Sequence, residues 1–295
     1  MHKEKNTPGN RFGKHRNAAL VLLAALVILD IVVWSQIAVH IRDRSLLRMY
    51  FLDVGQGDSE LVVLPGGATM LIDGGPPNGR VLSALAEALP PFDRSIDLIV
   101  LSHPQTDHFG GLIEVVRRFR IGAFISTGVT NTVPGYADLV RALDERGVPR
   151  IVLAAGDTIR YGDSRGDVLS PTPAFLSATD VNETTLVLRI SGNDVASLFT
   201  GDADADVERE LARTAGSIDV LKVSHHGSKF SSTKEFLDAI HPEIAVIEVG
   251  KNSYGHPTAQ ALGRLADVGA RIFRTDQQGT IEIIADGGEL WVFAK

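Results

Sequence analysis

From residue 49 onward the sequence predicts an α/β protein in which helices pack on β-sheet. Two observations carry this expectation. Short β-rich runs alternate with amphipathic helix-like stretches through residues 49–295, and an alternation of that kind requires helices laid against sheet. No repeat of fixed period, low-complexity tract or internal linker interrupts it, so one domain is expected. A third feature stands apart: residues 18–39 are apolar except for Asp30, Ser35 and Gln36, and 22 such residues can cross about 30 Å of hydrocarbon.

The chain reads in order as follows. Residues 1–17 form a basic tail of net charge +4, with Lys3, Lys5, Arg11, Lys14 and Arg16 against Glu4. Residues 18–39 are expected to be one transmembrane helix, because the apolar stretch of a cleaved signal peptide is shorter, about 7–15 residues. Asp30 near its middle is costly there unless protonated or paired, or it marks an interrupted span. Basic residues are denser before the span than after it, which predicts a single-pass protein with a cytoplasmic N-terminus and an extracytoplasmic catalytic body. Residues 40–48 are expected to be a linker. In the body, strands at 50–54 and 61–64 flank the turn Gly55-Gln56-Gly57-Asp58, and 69–72 leads into Asp73-Gly74-Gly75. Helices are expected at 80–89, 109–118, 136–146, 203–214, 232–240 and 257–268, with strands at 96–101, 121–125, 149–153, 219–223 and 244–249. Hairpin turns are expected at Ser191-Gly192-Asn193 and Gln277-Gln278-Gly279, and residues 289–293 close the chain as a strand.

Composition excludes several classes of function. The 295 residues include no cysteine, so disulfides and thiolate metal sites are impossible, and any metal must be held by nitrogen and oxygen. The net charge is −7, and residues 49–295 carry −12 of it against the basic N-terminus. Tight binding to nucleic acid through phosphate contacts alone needs a basic surface. A polyanionic substrate would therefore depend on bound metal for local positive charge.

The chemistry concentrates at strand ends. Ser102-His103-Pro104-Gln105-Thr106-Asp107-His108 follows an apolar strand and leads through Gly110-Gly111 into a helix. Two histidines and an aspartate within six residues at such a turn can point into one space, as a metal site requires. Asp202 ends a second strand, His225 and His226 a third, and His256 follows a fourth. Five of nine histidines thus fall at expected strand ends, a concentration that a role as satisfied core residues does not explain. A carboxylate between two cations, with imidazoles around it, suits the in-line displacement of a phosphodiester.

Seven segments, taken together, carry a resemblance: LDVGQGDSELVVLP at 52–65, LIDGG at 71–75, LSHPQTDHFGGL at 101–112, LFTGDAD at 198–204, LKVSHHGS at 221–228, YGHP at 254–257 and TDQQGTIEI at 275–283. In this order they resemble the metallo-β-lactamase superfamily, and within it the hydrolase domain of the ComEC/Rec2 competence proteins. The resemblance implies an αββα sandwich with one or two divalent ions, Mn²⁺ or Zn²⁺, at one sheet edge. It implies hydrolysis of DNA or another phosphodiester by a metal-bound hydroxide during DNA uptake. By position, His103, Asp107 and His108 would be ligands, Asp202 the bridge and His256 a further ligand. His225 would complete a shell or stabilise the transition state, with His226 beside it; Asp107, His225 and His226 are the catalytic candidates. Asp73 would buttress the ligands, and the Gly55–Gly57 turn would bring Asp58 near them. Gln105 stands where the family pattern has histidine or aspartate, a weaker ligand that bears on the number of ions held. Full-length ComEC-type proteins resemble multi-span channels, so a separately encoded channel is the partner expected beside the membrane.

Other signals point elsewhere less well. Glu60 stands where a dinucleotide fingerprint needs its third glycine, and no G-x-S-x-G elbow surrounds Ser102 or Ser224. Asn182, Glu183 and Thr184 precede a strand in a region where many metallo-β-lactamase relatives supply another histidine, and Asn182 is either a substrate contact or, more commonly at such a place, a turn residue. Lys222 and Lys229 are expected to be solvated. A hydrolase of a small ester, lactone or phosphodiester, and a degenerate non-catalytic interaction module, remain open as alternatives.

Overall fold

The computed structural model describes residues 20–35 and 45–294. The chain divides into two units, Met1–Ser45 and Leu46–Lys295. In the first, helix α1 is described over residues 20–35 and exposes every side chain. No helix among the described residues is long and apolar enough to cross a membrane. The basic tail, the ends of the expected 18–39 span and residues 40–44 lie outside the described residues.

The second unit contains two sheets. The first is built from β1 (Leu47–Phe51), β2 (Glu60–Val63), β3 (Thr69–Ile72), β4 (Ser95–Val100), β5 (Arg120–Ser126) and β6 (Arg150–Val152), with the late strands β14 (Ile281–Asp286) and β15 (Glu289–Ala294) added beside β1. The second runs β13-β12-β11-β10-β9-β8-β7, from β7 (Thr158–Tyr161), β8 (Ser164–Ser170), β9 (Val187–Gly192), β10 (Val195–Phe199), β11 (Val220–Lys222), β12 (Ile244–Ile247) and β13 (Arg271–Arg274). Each sheet has a parallel half, β3-β4-β5-β6 and β10-β11-β12-β13, and an antiparallel half. The helices are α2 (Arg80–Ala88), α3 (Thr106–Phe109), α4 (Leu112–Arg118), α5 (Tyr136–Glu145), α6 (Ala205–Thr214), α7 (Lys234–Ile240), α8 (Ala259–Asp267) and the short α9 (Thr275–Gln278).

Period-two patterning puts one face of each sheet inside. In β1, Leu47, Met49 and Phe51 are buried while Arg48 and Tyr50 are not, as a half-buried strand requires. They meet Leu188, Ile190, Phe199 and Val246 of the second sheet in one cluster, with the Phe51 and Phe199 rings stacked at 6.0 Å. Val81, Leu85, Val115 and Leu139 cover the outer face of the first sheet. Val207, Leu211, Phe236 and Leu265 cover that of the second. The order helix, sheet, sheet, helix is the αββα sandwich expected.

The structure departs from the expected elements in four places. β1 starts at Leu47, inside the expected linker, because Leu47 continues the buried alternation. The expected helix 109–118 is divided into α3 and α4 at Gly110-Gly111, where a Cβ on Gly111 would lie 2.0 Å from the Gly74 carbonyl oxygen. No hairpin exists at 277–279: α9 carries the chain from β13 in one sheet to β14 in the other. β7 and β8 were not expected at all. Their residues are mostly polar, and pairing with β9 decides their conformation.

Glu208 on α6 is fully buried, and its carboxylate accepts the backbone N–H groups of Ser232 at 2.5 Å and Thr233 at 2.8 Å, just ahead of α7. Burial pushes its carboxyl up from 4.5 to about 7, against the pull of those N–H groups. A raised carboxyl favours the neutral form in the folded state. That stability is complete below the unfolded value near 4.5 and is lost as pH rises through about 7. Calorimetry between roughly pH 5 and 8 should therefore show Glu208→Gln losing less Tm with rising pH than wild type; parallel curves would mean the buried carboxyl is ionised throughout.

Candidate metal centre

The site grows from the ends of the parallel strands. Asp73, directly after β3, has a left-handed backbone (φ 54°) and is buried. Its Oδ1 accepts the Ser102 N–H at 2.8 Å, and its Oδ2 accepts the Ser102 hydroxyl at 2.5 Å and His108 Nδ1 at 2.7 Å. A carboxylate only accepts, so the Ser102 proton goes to Asp73. His103 Nδ1, 3.0 Å from the same hydroxyl oxygen, must then be the donor of that pair. One carboxylate thus sets both imidazoles with Nε2 pointing away from it, the outer-shell arrangement common around metal-binding histidines.

The second sheet supplies the opposite wall. Asp202 follows β10 and Gly201; its Oδ1 lies 3.5 Å from His108 Nε2 and 3.8 Å from His226 Nε2. His225 and His226 follow β11 with consecutive left-handed backbones, φ 50° and 53°. His226 is buried; its Nδ1 donates to the Glu248 carbonyl at 2.8 Å and lies 3.2 Å from Asp58 Oδ1, leaving Nε2 3.5 Å from Asp107 Oδ2. Asp58 arrives on the β1–β2 turn. A Cβ on Gly57 (φ 146°) would lie 2.2 Å from the Asp107 carbonyl oxygen, so only glycine permits that approach.

The electrostatics are those of a cation trap. Burial raises the Asp107 and Asp202 carboxyls, but His108 and His226 overcome it and hold both well below the usual carboxylate range. Conversely, burial lowers His108 and His226, yet the surrounding carboxylates, Asp202 first, push His108 well above its ordinary value and His226 up to about 10. Burial and the neighbouring His108 push His103 down to about 4, so its Nε2 is an uncharged lone pair at neutral pH. His103 Nε2, His108 Nε2, His226 Nε2 and Asp202 Oδ1 are buried without a hydrogen-bond partner. Such orphans are costly unless an ion or another partner satisfies them. Ligand atoms within 4.8 Å of one another form the triads His103–His108–Asp202, Asp107–His108–His226 and Asp58–Asp202–His226, and Asp58, Asp73 and His108 form another. This all-nitrogen-and-oxygen set fits a divalent metal of the zinc or manganese kind.

Several expected residues stand elsewhere than anticipated. His226, expected beside the shell, is a member of two of these triads, while His225, expected to complete a shell or stabilise the transition state, is in none of them, its Nε2 3.7 Å from Asp202 Oδ2. His256, 5.6 Å from the His225 ring, belongs with His225 outside every such triad among the described residues. Gln105 Nε2 donates to Asn182 Oδ1 at 2.6 Å, so the amide expected as a weak ligand is engaged by a second amide. Asn182 also makes a turn, its N–H donating to Asp180 Oδ1. Asp58 and Asp73 approach the Nδ1 atoms of His226 and His108, as buttressing residues would, and also belong to candidate triads themselves.

Lys222 overturns the expectation of a solvated lysine. It is fully buried, and its ammonium donates to Asp58 Oδ2 and, at 2.8 Å, to the Gly201 carbonyl. Its position between Leu221 and Val223, inside an apolar strand, was the signal available for it. Lys229, by contrast, is exposed. Sequence reasoning also passed over Glu248, whose carbonyl orients His226 and whose Oε1 accepts the Ser59 N–H at 3.0 Å.

Comparison with known proteins adds the family. A model of the metallo-β-lactamase superfamily matches residues 52–250. The chain belongs to the metallo-β-lactamase superfamily. Within the superfamily, it is 30% identical over 250 residues to ComE operon protein 3 of Bacillus subtilis, covering 78% of this chain and 32% of that protein. It is 29% identical over 236 residues to Recombination protein 2 of Haemophilus influenzae, covering 79% of this chain and 28% of the relative. These similarities bear out the ComEC/Rec2 resemblance, although the chain spans under a third of either relative's length. The metallo-β-lactamase fold protein YhfI of Bacillus subtilis superposes with a TM-score of 0.53 at 13% identity, over 84% of this chain and all of YhfI, a likeness of fold alone.

The buried pair of Lys222 and Asp58 supports the superfamily site from behind. Removing one partner leaves a buried charge uncompensated, so Lys222→Ala should cost about 3–5 kcal/mol in urea denaturation with chelator present. Lys222→Met combined with Asp58→Asn should cost less than the sum of the single changes; strict additivity would show that the two groups do not interact.

Proposed function

We propose that the chain is a metal-dependent phosphodiesterase that cleaves DNA on the extracytoplasmic face of a membrane. The observation that carries this reading is the convergence of His103 Nε2, His108 Nε2, His226 Nε2 and Asp202 Oδ1 as buried atoms without partners, with Asp107 Oδ2 beside His226. These five residues would hold one or two divalent ions, Mn²⁺ or Zn²⁺. Such a cation supplies Lewis acidity, lowering the pKa of a bound water and polarising a phosphoryl oxygen.

The chain's own residues do the rest. Asp73 and Ser102 hold His103 and His108 in the donor-inward orientation. Glu248 and Asp58 do the same for His226. His225, less buried than His226 and 3.7 Å from Asp202, is placed to donate a hydrogen bond to a phosphoryl oxygen or a proton to the leaving oxygen. DNA as substrate is supported by the similarity to Recombination protein 2 and ComE operon protein 3. The apolar residues 18–39 serve as the single membrane anchor in this reading, and a separately encoded channel protein is the partner that would deliver the strand.

The test is cleavage of a labelled single-stranded oligonucleotide by the full chain with Mn²⁺. Chelator should abolish cleavage, and His226→Ala or Asp202→Asn should lower kcat by about a hundredfold. Bound Mn²⁺ per chain, measured by mass spectrometry, should fall in the same variants. Turnover of small esters or lactones with intact oligonucleotide would replace the nuclease reading by the small-substrate one. A folded chain that takes up no cation would leave only a binding role.

A further inference from the structure

His225, at the rim of the metal centre, begins a series of rings that leads outward. The His225 and His256 rings lie 5.6 Å apart, edge to face, and the His256 and Tyr254 rings 5.8 Å apart, tilted by 35°. Tyr254 ends the series with 74% of its surface exposed. A large aromatic side chain in that state gains nothing from the core, yet its backbone is firmly held. The Asn252 side chain donates to the carbonyls of Gly250 at 2.9 Å and His256 at 2.8 Å, and accepts from the N–H groups of Tyr254 at 3.0 Å and His256 at 3.1 Å. One amide therefore satisfies four backbone groups on both sides of the exposed ring.

The neighbouring loop carries a similar pairing. Phe230 is 69% exposed, and Lys229 Nζ lies 4.8 Å from its ring centre. Arg264 of α8 donates to the carbonyls of Lys229, Ser231 and Ser232, fixing that loop. Thr258 ties the two loops together, its N–H and hydroxyl both reaching the Gly227 carbonyl at 2.9 and 3.1 Å. Charge distinguishes this rim from the rest of the body. Residues 223–234 and 249–266 contain no aspartate or glutamate, and they bear Lys229, Lys234, Lys251 and Arg264, of which Lys234 pairs with Asp238 and Arg264 with backbone carbonyls, whereas residues 49–295 carry −12 overall.

We propose that this rim is a binding track for single-stranded DNA, in which Tyr254 stacks on a base flanking the scissile phosphodiester. The inference rests on the phosphodiesterase reading and names its substrate class. Rigidly presented aromatics beside lysines are what a single strand requires, because its bases offer free π-faces and its phosphates seek cations. Duplex DNA keeps its bases stacked on one another. A small ester or lactone ends at the metal centre, and an aromatic residue two rings away contributes nothing to it.

The experiment is fluorescence anisotropy with the full chain and two labelled strands of equal length, oligothymidylate and an abasic strand that keeps the phosphates without bases. Wild type should bind oligothymidylate about tenfold more tightly than the abasic strand, the factor given by about 1.4 kcal/mol of stacking. Tyr254→Ala should bring the two affinities within about twofold, and Tyr254→Phe should keep the preference. Equal binding of both strands by wild type, a preference that survives Tyr254→Ala, or no binding of either strand overturns the inference. Cleavage plays no part in this readout, so a base preference in a chain that cleaves nothing would keep the track and remove the nuclease reading.

Discussion

Lys222 reaches from β11 in one sheet to Asp58 on the β1–β2 turn of the other, and the candidate metal centre is built against that buried ion pair. Asp58, Asp73, Asp107 and Asp202 crowd one sheet edge, three of them almost wholly out of water. Carboxylates so placed repel one another unless positive charge stands among them. Lys222 is the permanent share of that charge. The imidazoles of His108 and His226, pushed upward in pKa by the same carboxylates, stand among them as well. A cation bound among them would compete with their protons.

The sandwich makes that concentration of charge affordable. Its parallel halves bring the ends of β3, β4, β10, β11 and β12 to one edge, so each donor arises from a short turn on a rigid strand. Several of those turns are strained: Asp73, His225 and His226 have left-handed backbones, at about 1–3 kcal/mol each. The three-layered apolar packing around Phe51, Phe199, Val115 and Phe236 over-determines the turns and keeps them in place. Gly57 and Gly111 serve the same end by letting backbones approach where a Cβ could not fit.

Much of this was legible beforehand because it is local. Apolar runs of β-branched residues mark β4, β5 and β12. Histidine and aspartate clustered in turns after them mark the site, and the ordered motifs mark the family. What was misread is non-local. β7 and β8 lack their own hydrophobic signal and exist through pairing with β9. The 277–279 turn looks like a hairpin until β13 and β14 are seen to belong to different sheets. His225 and His226 are adjacent and chemically identical, and the backbone conformation alone turns His226 inward.

The sequence by itself determined the class of fold, the family, the nitrogen-and-oxygen character of any metal site and most of the residues that converge on the candidate centre. Periodicity, motif order and the lack of cysteine are all properties of the chain read one segment at a time. Tertiary structure alone decided that Lys222 is a buried counter-charge, that Gln105 binds Asn182, and that Tyr254 is presented on a loop held by Asn252. Each of these depends on which residues distant in the chain become neighbours, and burial, not residue type, then sets the charge and the partners a side chain can keep.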